Sequence, residues 1–429
     1  MKAPLRIGIA GLGTVGAGVV KLLAEHGRLL SLRGGRPLKL VAVSARRKAR
    51  KRDIDVSHVR WESDPMALAT APDIDVVVEL IGGSGGVARR LVQTALRSGK
   101  HVVTANKALL AHHGASLAAL AEKNGVTLNF EAAVAGGIPI IKALREGLVG
   151  NRVRRLYGIL NGTCNYILTT MRETGRDFGA VLAEAQAAGY AEADPSFDVD
   201  GIDAAHKLSV LTGAAFGAKV NFAGVHVEGI RRVSAMDIQF AEELGFRIKL
   251  LGLARETRYG IEQRVHPCMV PLAAPIAHIE GVFNAVVVEG DFVGTTMFQG
   301  RGAGQGPTAS AVVADLVDVA RGREMPAFVV PAERLAAKKV SPMDRHQGAY
   351  YMRLMVQDKP GVIAAVSGAL AKERISLEAM LQRGRSDGVV PVVLTTHETE
   401  EAAMQRALAR IARLGAVAEE PCVIRIESF

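Results

Sequence analysis

Between Gly189 and Lys207 the chain reads Gly-Tyr-Ala-Glu-Ala-Asp-Pro-Ser-Phe-Asp-Val-Asp-Gly-Ile-Asp-Ala-Ala-His-Lys. Five acids, Glu192, Asp194, Asp198, Asp200 and Asp203, fall within twelve residues. Lys207 follows on a stretch that is otherwise apolar and continues Leu208-Ser-Val-Leu. Asp203 and Lys207 are spaced i, i+4, so a helix would carry both side chains on one face. A lysine held among carboxylates can give a proton to a carbonyl oxygen as hydride reaches the carbon. The same letters also suit a plain helix start, because acids are favoured at helix N-termini and exposed i, i+4 ion pairs are common. The spacing alone fits both readings equally.

A second chemical signal lies at the beginning. Gly11-Leu12-Gly13-Thr14-Val15-Gly16 is a G-x-G-x-x-G run that leaves an apolar, strand-like segment and opens a helical one. In that context Gly11 permits the tight turn, Gly13 lets the backbone approach a pyrophosphate, and Gly16 lets helix and strand pack closely. The helix N-terminus adds free N–H groups and a partial positive charge for phosphate. Cofactor choice is read at the end of the next strand, where an acid would hold the ribose 2′-hydroxyl of NAD. Here the chain reads Ser44-Ala-Arg46-Arg47-Lys48 with no acid before Asp53. Guanidinium groups suit a 2′-phosphate. The expectation is NADPH over NADH, with Arg46 and Arg47 as first contacts and Lys48 third. A solvated basic loop is the plain alternative.

That loop also explains the charge. The 429 residues hold 53 Lys and Arg against 43 Asp and Glu, a formal +10. Residues 28–60 carry eleven of the bases against only Asp53 and Asp55, so the rest of the chain is almost neutral. No helix-turn-helix or aromatic stacking platform accompanies the basic segment, which argues against nucleic acid as a partner. Hydrophobic residues make up 49% and charged residues 22%, a globular composition that excludes wholesale disorder. Cys164, Cys268 and Cys422 lie far apart without zinc spacing. With no signal-peptide pattern and no apolar run long enough for a membrane span, the expectation is a cytoplasmic protein in a reducing compartment. Cys164 reads as buried and inert rather than nucleophilic. His112, His113 and His206 read as surface or helix-face residues rather than ligands.

These groups need a scaffold. Strands are expected at Leu5–Ala10, Leu38–Ser44, Ile74–Ile81, His101–Thr104 and Val126–Phe130. Helices are expected between them at Val15–Leu30, Val87–Ser98 and Leu109–Asn124. Continuous apolar strands separated by helices imply an α/β, Rossmann-type doubly wound parallel sheet over 1–130. Residues 131–304 mix helices (Ile140–Leu148, Tyr166–Thr174, Phe178–Ala188, Asp203–Phe216) with strands (Gly252–Ala254, Glu262–Met269, Ala285–Glu289). They read as an α+β substrate and dimerisation domain. A helix over Pro307–Arg323, within 305–335, is expected to pack back on the nucleotide domain. A linker at 336–348 leads to a βαββαβ unit over 349–429.

At this point the sequence resembles the homoserine dehydrogenase family. The resemblance rests on Ala185–Lys207 and on Thr104-Ala-Asn-Lys107-Ala-Leu-Leu. It also rests on Glu131-Ala-Ala-Val-Ala-Gly-Gly-Ile-Pro-Ile and Gly158-Ile-Leu-Asn-Gly-Thr-Cys-Asn-Tyr. With the glycine loop it covers residues 1–345. It implies interconversion of L-aspartate 4-semialdehyde and L-homoserine with NAD(P), in threonine, methionine and isoleucine synthesis, by a monofunctional enzyme. Lys207 would then be the acid/base and Asp203 would orient it. Lys107 would lie between nicotinamide and substrate. Glu192 would take the substrate ammonium and Asp198 would support the pocket, with Thr163 and Tyr190 as weaker contacts. Gly304 would join the glycine loop at the cofactor. The resemblance further implies a monovalent cation, usually sodium, on backbone carbonyls at Glu131, Val134, Gly136 and Ile138, and a homodimer or homotetramer.

Residues 350–429 resemble an ACT domain. Asp358-Lys-Pro-Gly361-Val-Ile-Ala matches its turn into the first helix. That resemblance implies feedback control by an amino acid, most plausibly threonine, with dimerisation alone as the plain alternative.

Overall fold

The computed structural model describes residues 2–383 and 388–429. Six short strands, β1 (Leu5–Ala10), β2 (Leu38–Ser44), β3 (Arg60–Glu62), β4 (Val76–Glu79), β5 (His101–Thr104) and β6 (Leu128–Asn129), form the first sheet. Its order is β3-β2-β1-β4-β5-β6 and every pairing is parallel. The run Val76-Val-Val-Glu79 is buried throughout, which only a sheet covered on both faces permits. The cover comes from the helices Thr14–Glu25, Gly86–Arg97 and Lys107–Lys123. The helix expected over Val15–Leu30 breaks at His26 and resumes as Gly27–Gly34. Gly27 is a poor helix former at that junction. Strand β3 and the helix Met66–Thr70 escaped the sequence reading because so few residues show no period.

A distant segment completes this unit. The helix Gln305–Arg321 sends Ala309, Val312 and Leu316 into the cluster that holds Ile7, Ile9, Val19 and Val43.

The second sheet is mixed and contains eleven strands. They are β7 (Val153–Ile159), β8 (His226–Val227), β9 (Phe246–Thr257), β10 (Gly260–Pro271), β11 (Phe283–Gly290), β12 (Gly294–Arg301), β13 (Gln347–Gln357), β14 (Leu377–Gln382), β15 (Val389–Thr396), β16 (Thr399–Glu400) and β17 (Cys422–Ile426). The main path runs β12-β11-β7-β9-β10-β17-β13-β15-β14. The helices Gly162–Thr174 and Ile202–Phe216 pack on β7 and β9. Strands β7 and β12 and the helix Ala235–Glu243 were not anticipated. Strand β12 is largely exposed, so it lacks the apolar run that marks a buried strand.

The C-terminal unit follows the expected βαββαβ order, with helices Val362–Lys372 and Glu401–Ile411. It is not a separate sheet. Strand β17 lies between β13, antiparallel, and β10, parallel, with Cys268 opposite Arg425 and Met269 opposite Ile426. An exposed β17 edge would leave backbone groups unpaired, and β10 satisfies them. Charged side chains are buried at the join. Arg264 pairs with Glu427 and donates from Nε to Glu262 at 2.7 Å. Arg425 donates to Glu401 at 2.7 Å and to Glu228 at 3.0 Å. Among the described residues His266, Cys268 and Glu427 are close enough to share an ion. Arg264 donates to both His266 (2.7 Å) and Glu427, so a protein cation already occupies that place. Among the described residues no helix is long and apolar enough to cross a membrane.

Candidate active site

The helix Ile202–Phe216 starts after Gly201 and carries both Asp203 and Lys207 inward, at 3% and 7% exposure. That burial excludes an exposed surface ion pair. Lys207 Nζ donates to Asp203 Oδ2 at 2.8 Å and to the Leu160 carbonyl at 2.7 Å. On the other side, Lys107 Nζ reaches Asp203 Oδ1 at 2.5 Å. Lys107 is the first residue of the helix that leaves β5, so this ion pair ties the nucleotide unit to the second sheet's helices. Asn161 Nδ2 donates to Asp203 Oδ2 (2.9 Å) and Asp198 Oδ1 (2.8 Å).

The electrostatics follow from this packing. Burial pushes the Asp203 carboxyl up, but the Lys207 and Lys107 charges outweigh it and hold it well below the usual carboxylate range. Burial lowers the Lys207 ammonium pKa, and the Asp203 charge only partly restores it. Asp198 is raised by burial and then by the neighbouring Asp203 charge. Such a lysine is protonated against a fixed carboxylate yet easier to deprotonate than one in water.

The substrate-side candidates are more open. Thr163 Oγ1 donates to the Tyr190 carbonyl at 2.9 Å, and the Tyr190 ring lies 4.7 Å from that of Tyr166. Tyr190 and Glu192 are exposed, and among the described interactions the Glu192 carboxylate meets neither lysine. Phe197 places its ring 5.6 Å from Lys107 Nζ. The Cys164 thiol is fully buried, is pushed up by burial, and donates to the Asp198 carbonyl at 3.2 Å. It holds the loop and offers no thiolate. His206 is buried against Phe222 with ring centroids 4.3 Å apart, and burial lowers its pKa to about 4.

A cleft of about 790 Å³ opens beside the glycine loop. Gly11, Leu12, Gly13, Ser44, Arg46, Arg47, Ile81 and Gly82 are among its lining residues. Gly11 has φ +105°, and a Cβ there would lie 2.5 Å from the Leu80 carbonyl oxygen. A Cβ on Gly16 would lie 2.1 Å from the Gly11 carbonyl oxygen, whereas one on Gly13 would meet nothing within 4 Å. The first two glycines are demanded by the fold. Gly13 leaves open space where a pyrophosphate would approach. Thr14 and Val15 begin the helix, and Thr14's carbonyl accepts from Gln305 Nε2 at 3.2 Å, just after Gly304. Lys48 sits at the side of the cleft. Its Nζ lies over the Trp61 ring at 5.9 Å, and it is absent from the cleft lining, where Arg50 and Arg52 appear instead. Arg52 ties the basic loop to the glycine loop by donating to the carbonyls of Leu12, Arg50 and Arg47, each at 2.9 Å.

The turn from Glu131 to Ile138 is buried except at Gly137. Gly136 has φ +51°, and a Cβ there would sit 2.4 Å from the Gly302 carbonyl oxygen. The Glu131 carboxylate is already engaged, accepting from Ile141 N (2.9 Å) and Lys142 N (2.8 Å). Burial, reinforced by Asp315, raises its pKa to about 7. Any cation here would therefore rely on main-chain oxygens. Sequence reasoning missed Asn161, Leu160, Arg50, Arg52, Ile81 and Gly82 as site residues. Asn161 had a signal in its own motif, whereas Leu160, Ile81 and Gly82 enter through backbone groups, and the approach of Arg50 and Arg52 depends on how the basic loop folds.

Comparison with known proteins agrees with this arrangement. Family models described as "Homoserine dehydrogenase, NAD binding domain", "Homoserine dehydrogenase" and "ACT domain" match residues 11–131, 139–317 and 350–416. The homoserine dehydrogenase of Pseudomonas aeruginosa is 47% identical over 434 residues, covering 99% of each chain. A crystal structure of the Thiobacillus denitrificans enzyme superposes with a TM-score of 0.94 at 46% identity, covering 99% of each chain. A hyperthermophilic archaeal homoserine dehydrogenase solved in complex with NADPH covers 75% of this chain and 99% of its own, with TM-score 0.63 and 27% identity. With family models matched over all three segments and relatives alike over the full length, the chain belongs to the homoserine dehydrogenase family.

Proposed function

We propose that this homoserine dehydrogenase reduces L-aspartate 4-semialdehyde with NADPH in preference to NADH, using Lys207 as proton donor. The observation that carries the mechanism is the buried Asp203–Lys207 pair at 2.8 Å with the half-buried Lys107 at 2.5 Å from Asp203. A nicotinamide cofactor in the cleft supplies the hydride. Lys207 protonates the incipient alkoxide, and in the oxidative direction the neutral amine takes the hydroxyl proton. Asp203 fixes the ammonium in place and keeps it charged until the carbonyl demands its proton. Lys107, at the seam, adds positive charge near the carbonyl oxygen. Glu192 receives the substrate ammonium, while Asp198, Thr163 and Tyr190 complete the polar pocket.

Arg46 and Arg47, exposed in the cleft at the end of β2, support NADPH, with Arg50 a third candidate in place of Lys48. The archaeal relative's complex with NADPH is consistent with that choice. Glu131, Val134, Gly136 and Ile138 would hold a sodium ion through carbonyl oxygens. Such an ion would stiffen the turn against residues 301–303. The C-terminal module would bind threonine across a homodimer or homotetramer, and the domain limits are proposed at 130, 304 and 348. The test follows NADPH and NADH absorbance with aspartate semialdehyde and with homoserine. Turnover with NADH equal to that with NADPH at matched low concentration would refute the cofactor preference.

A further inference from the structure

Glu79 ends β4 and is fully buried, yet it lies outside the lysine cluster. A buried carboxylate must be neutralised or hydrogen-bonded. No cation meets this one among the described interactions, and its partners are all uncharged donors. Oε1 accepts from Ile81 N at 2.8 Å and from Gly82 N at 3.0 Å, the turn that lines the nucleotide cleft. Oε2 accepts from Thr104 Oγ1 at 2.6 Å. That hydroxyl oxygen in turn accepts from Asn106 N at 3.0 Å. Asn106 then caps the next helix, its Oδ1 accepting from Leu109 N at 3.0 Å, and its Nδ2 donates to the Gly83 carbonyl at 2.8 Å. The residue after this cap is Lys107.

We propose that Glu79 is a positioning residue for hydride transfer, acting through Thr104 and Asn106 to set Lys107 against Asp203. One carboxylate registers two things that must meet in the reaction. Its first oxygen holds the floor of the cofactor cleft, with a longer contact to Asn106 Nδ2 at 3.5 Å, and its second, through Thr104, holds the start of the helix that delivers Lys107. The two arms can be separated chemically. A glutamine keeps one oxygen for the Ile81–Gly82 turn but places an NH₂ against Thr104, where an acceptor is needed. Thr104→Val removes the hydroxyl relay and leaves the turn untouched. The inference rests on the role given to Lys107 above.

The experiment measures kcat, KM and NADPH dissociation for full-length Glu79→Gln, Thr104→Val, their double variant, Thr104→Ser and Lys107→Met. Glu79→Gln and Thr104→Val are each expected to lower kcat at least ~10-fold, with NADPH affinity within about threefold, as a small misplacement of a reacting group costs rate before binding. The double variant is expected to be no more than about twofold below the slower single, because both changes break one path. Thr104→Ser, which restores the hydroxyl, should recover most of the loss. Wild-type kcat in Thr104→Val overturns the proposal, and so do multiplied losses in the double variant. Equal losses of cofactor affinity and kcat in Glu79→Gln also overturn it, since the effect would then lie in the cleft. A slow Lys107→Met beside a fast Thr104→Val rejects Glu79 alone. A fast Lys107→Met rejects the Lys107 role and this proposal with it.

Discussion

Replacing Lys207 with Met separates chemistry from folding at this site. Methionine matches the length of the buried chain and removes its ammonium. Asp203 keeps Lys107 at 2.5 Å and Asn161 at 2.9 Å, so its charge stays paired. The lost attraction to Asp203 is offset by no longer burying an ammonium, and the Leu160 carbonyl loses one hydrogen bond. The net cost is about 1–2 kcal/mol, or a few degrees in Tm for domains of this size. The rate should respond far more. A positioned proton donor contributes roughly 10²–10⁴-fold, which is about 2.7–5.5 kcal/mol of barrier. The assay is NADPH consumption with aspartate semialdehyde, read with NADPH dissociation and thermal melting. A kcat within tenfold of wild type, or a collapse in Tm that matches the loss of activity, would refute the donor role. The pH profile gives the sign. Burial lowers the Lys207 pKa, so the charged donor is lost as pH rises, below the ordinary lysine range. Aldehyde reduction should fall across that limb, homoserine oxidation should rise across it, and Lys207→Met should lack it.

Asp203→Asn should be the least stable of the cluster variants, by about 3–5 kcal/mol, because it leaves the buried Lys207 and half-buried Lys107 ammonium groups without their anion. In wild type the folded-state pKa of Asp203 is depressed, so its contribution is present above the unfolded carboxyl range and is lost as acid titrates it. Chemical denaturation of both proteins against pH checks this, and the difference should shrink in acid. Replacing Arg46 and Arg47 together by Ala should weaken NADPH roughly 10–100-fold and NADH little, the value of one or two charge-assisted hydrogen bonds. Equal losses in titrations of the two cofactors would remove the 2′-phosphate assignment. Threonine at a hundredfold excess over its dissociation constant should stabilise the protein by about 2.7 kcal/mol. Melting curves and initial rates unchanged by millimolar threonine would leave the C-terminal module without that effector.

The parts legible in the sequence are those where chemistry and spacing sit in one stretch. Gly11, Gly13 and Gly16 announce a phosphate turn because each answers a local steric demand, and a Cβ on two of them would strike backbone. Asp203 and Lys207 announce a shared helical face for the same local reason. What spacing could not supply was depth: an exposed i, i+4 pair and a buried one are written in the same letters. Burial is decided by β7, β9 and the helices packed on them, and β7 went unread. Lys107 came only through family resemblance, since no local rule brings the end of β5 to residue 203. The placing of Lys48 over Trp61 was equally out of reach, because Trp61 sits in a strand too short to detect.

The C-terminal module makes the same point at larger scale. Its strand order was readable from its own periodicities, and a polar linker suggested independence. The structure instead gives β17 two neighbours, one from the module and one from the substrate unit. Arg425 on that strand is 5% exposed and pairs with Glu401 of the module and with Glu228, which follows β8 in the substrate unit. Gly229 lies so close to the Val199 carbonyl that a Cβ would come within 2.3 Å, and Arg231 grips Asp200 at 2.5 Å. Residues 199 and 200 lead directly into the helix that carries Asp203 and Lys207. Breaking the module away would part Arg425 from Glu228 and Arg264 from Glu427, which is costly for buried charges. The module is therefore part of the body that holds the loop leading to Asp203 and Lys207, rather than an appendage tethered to it.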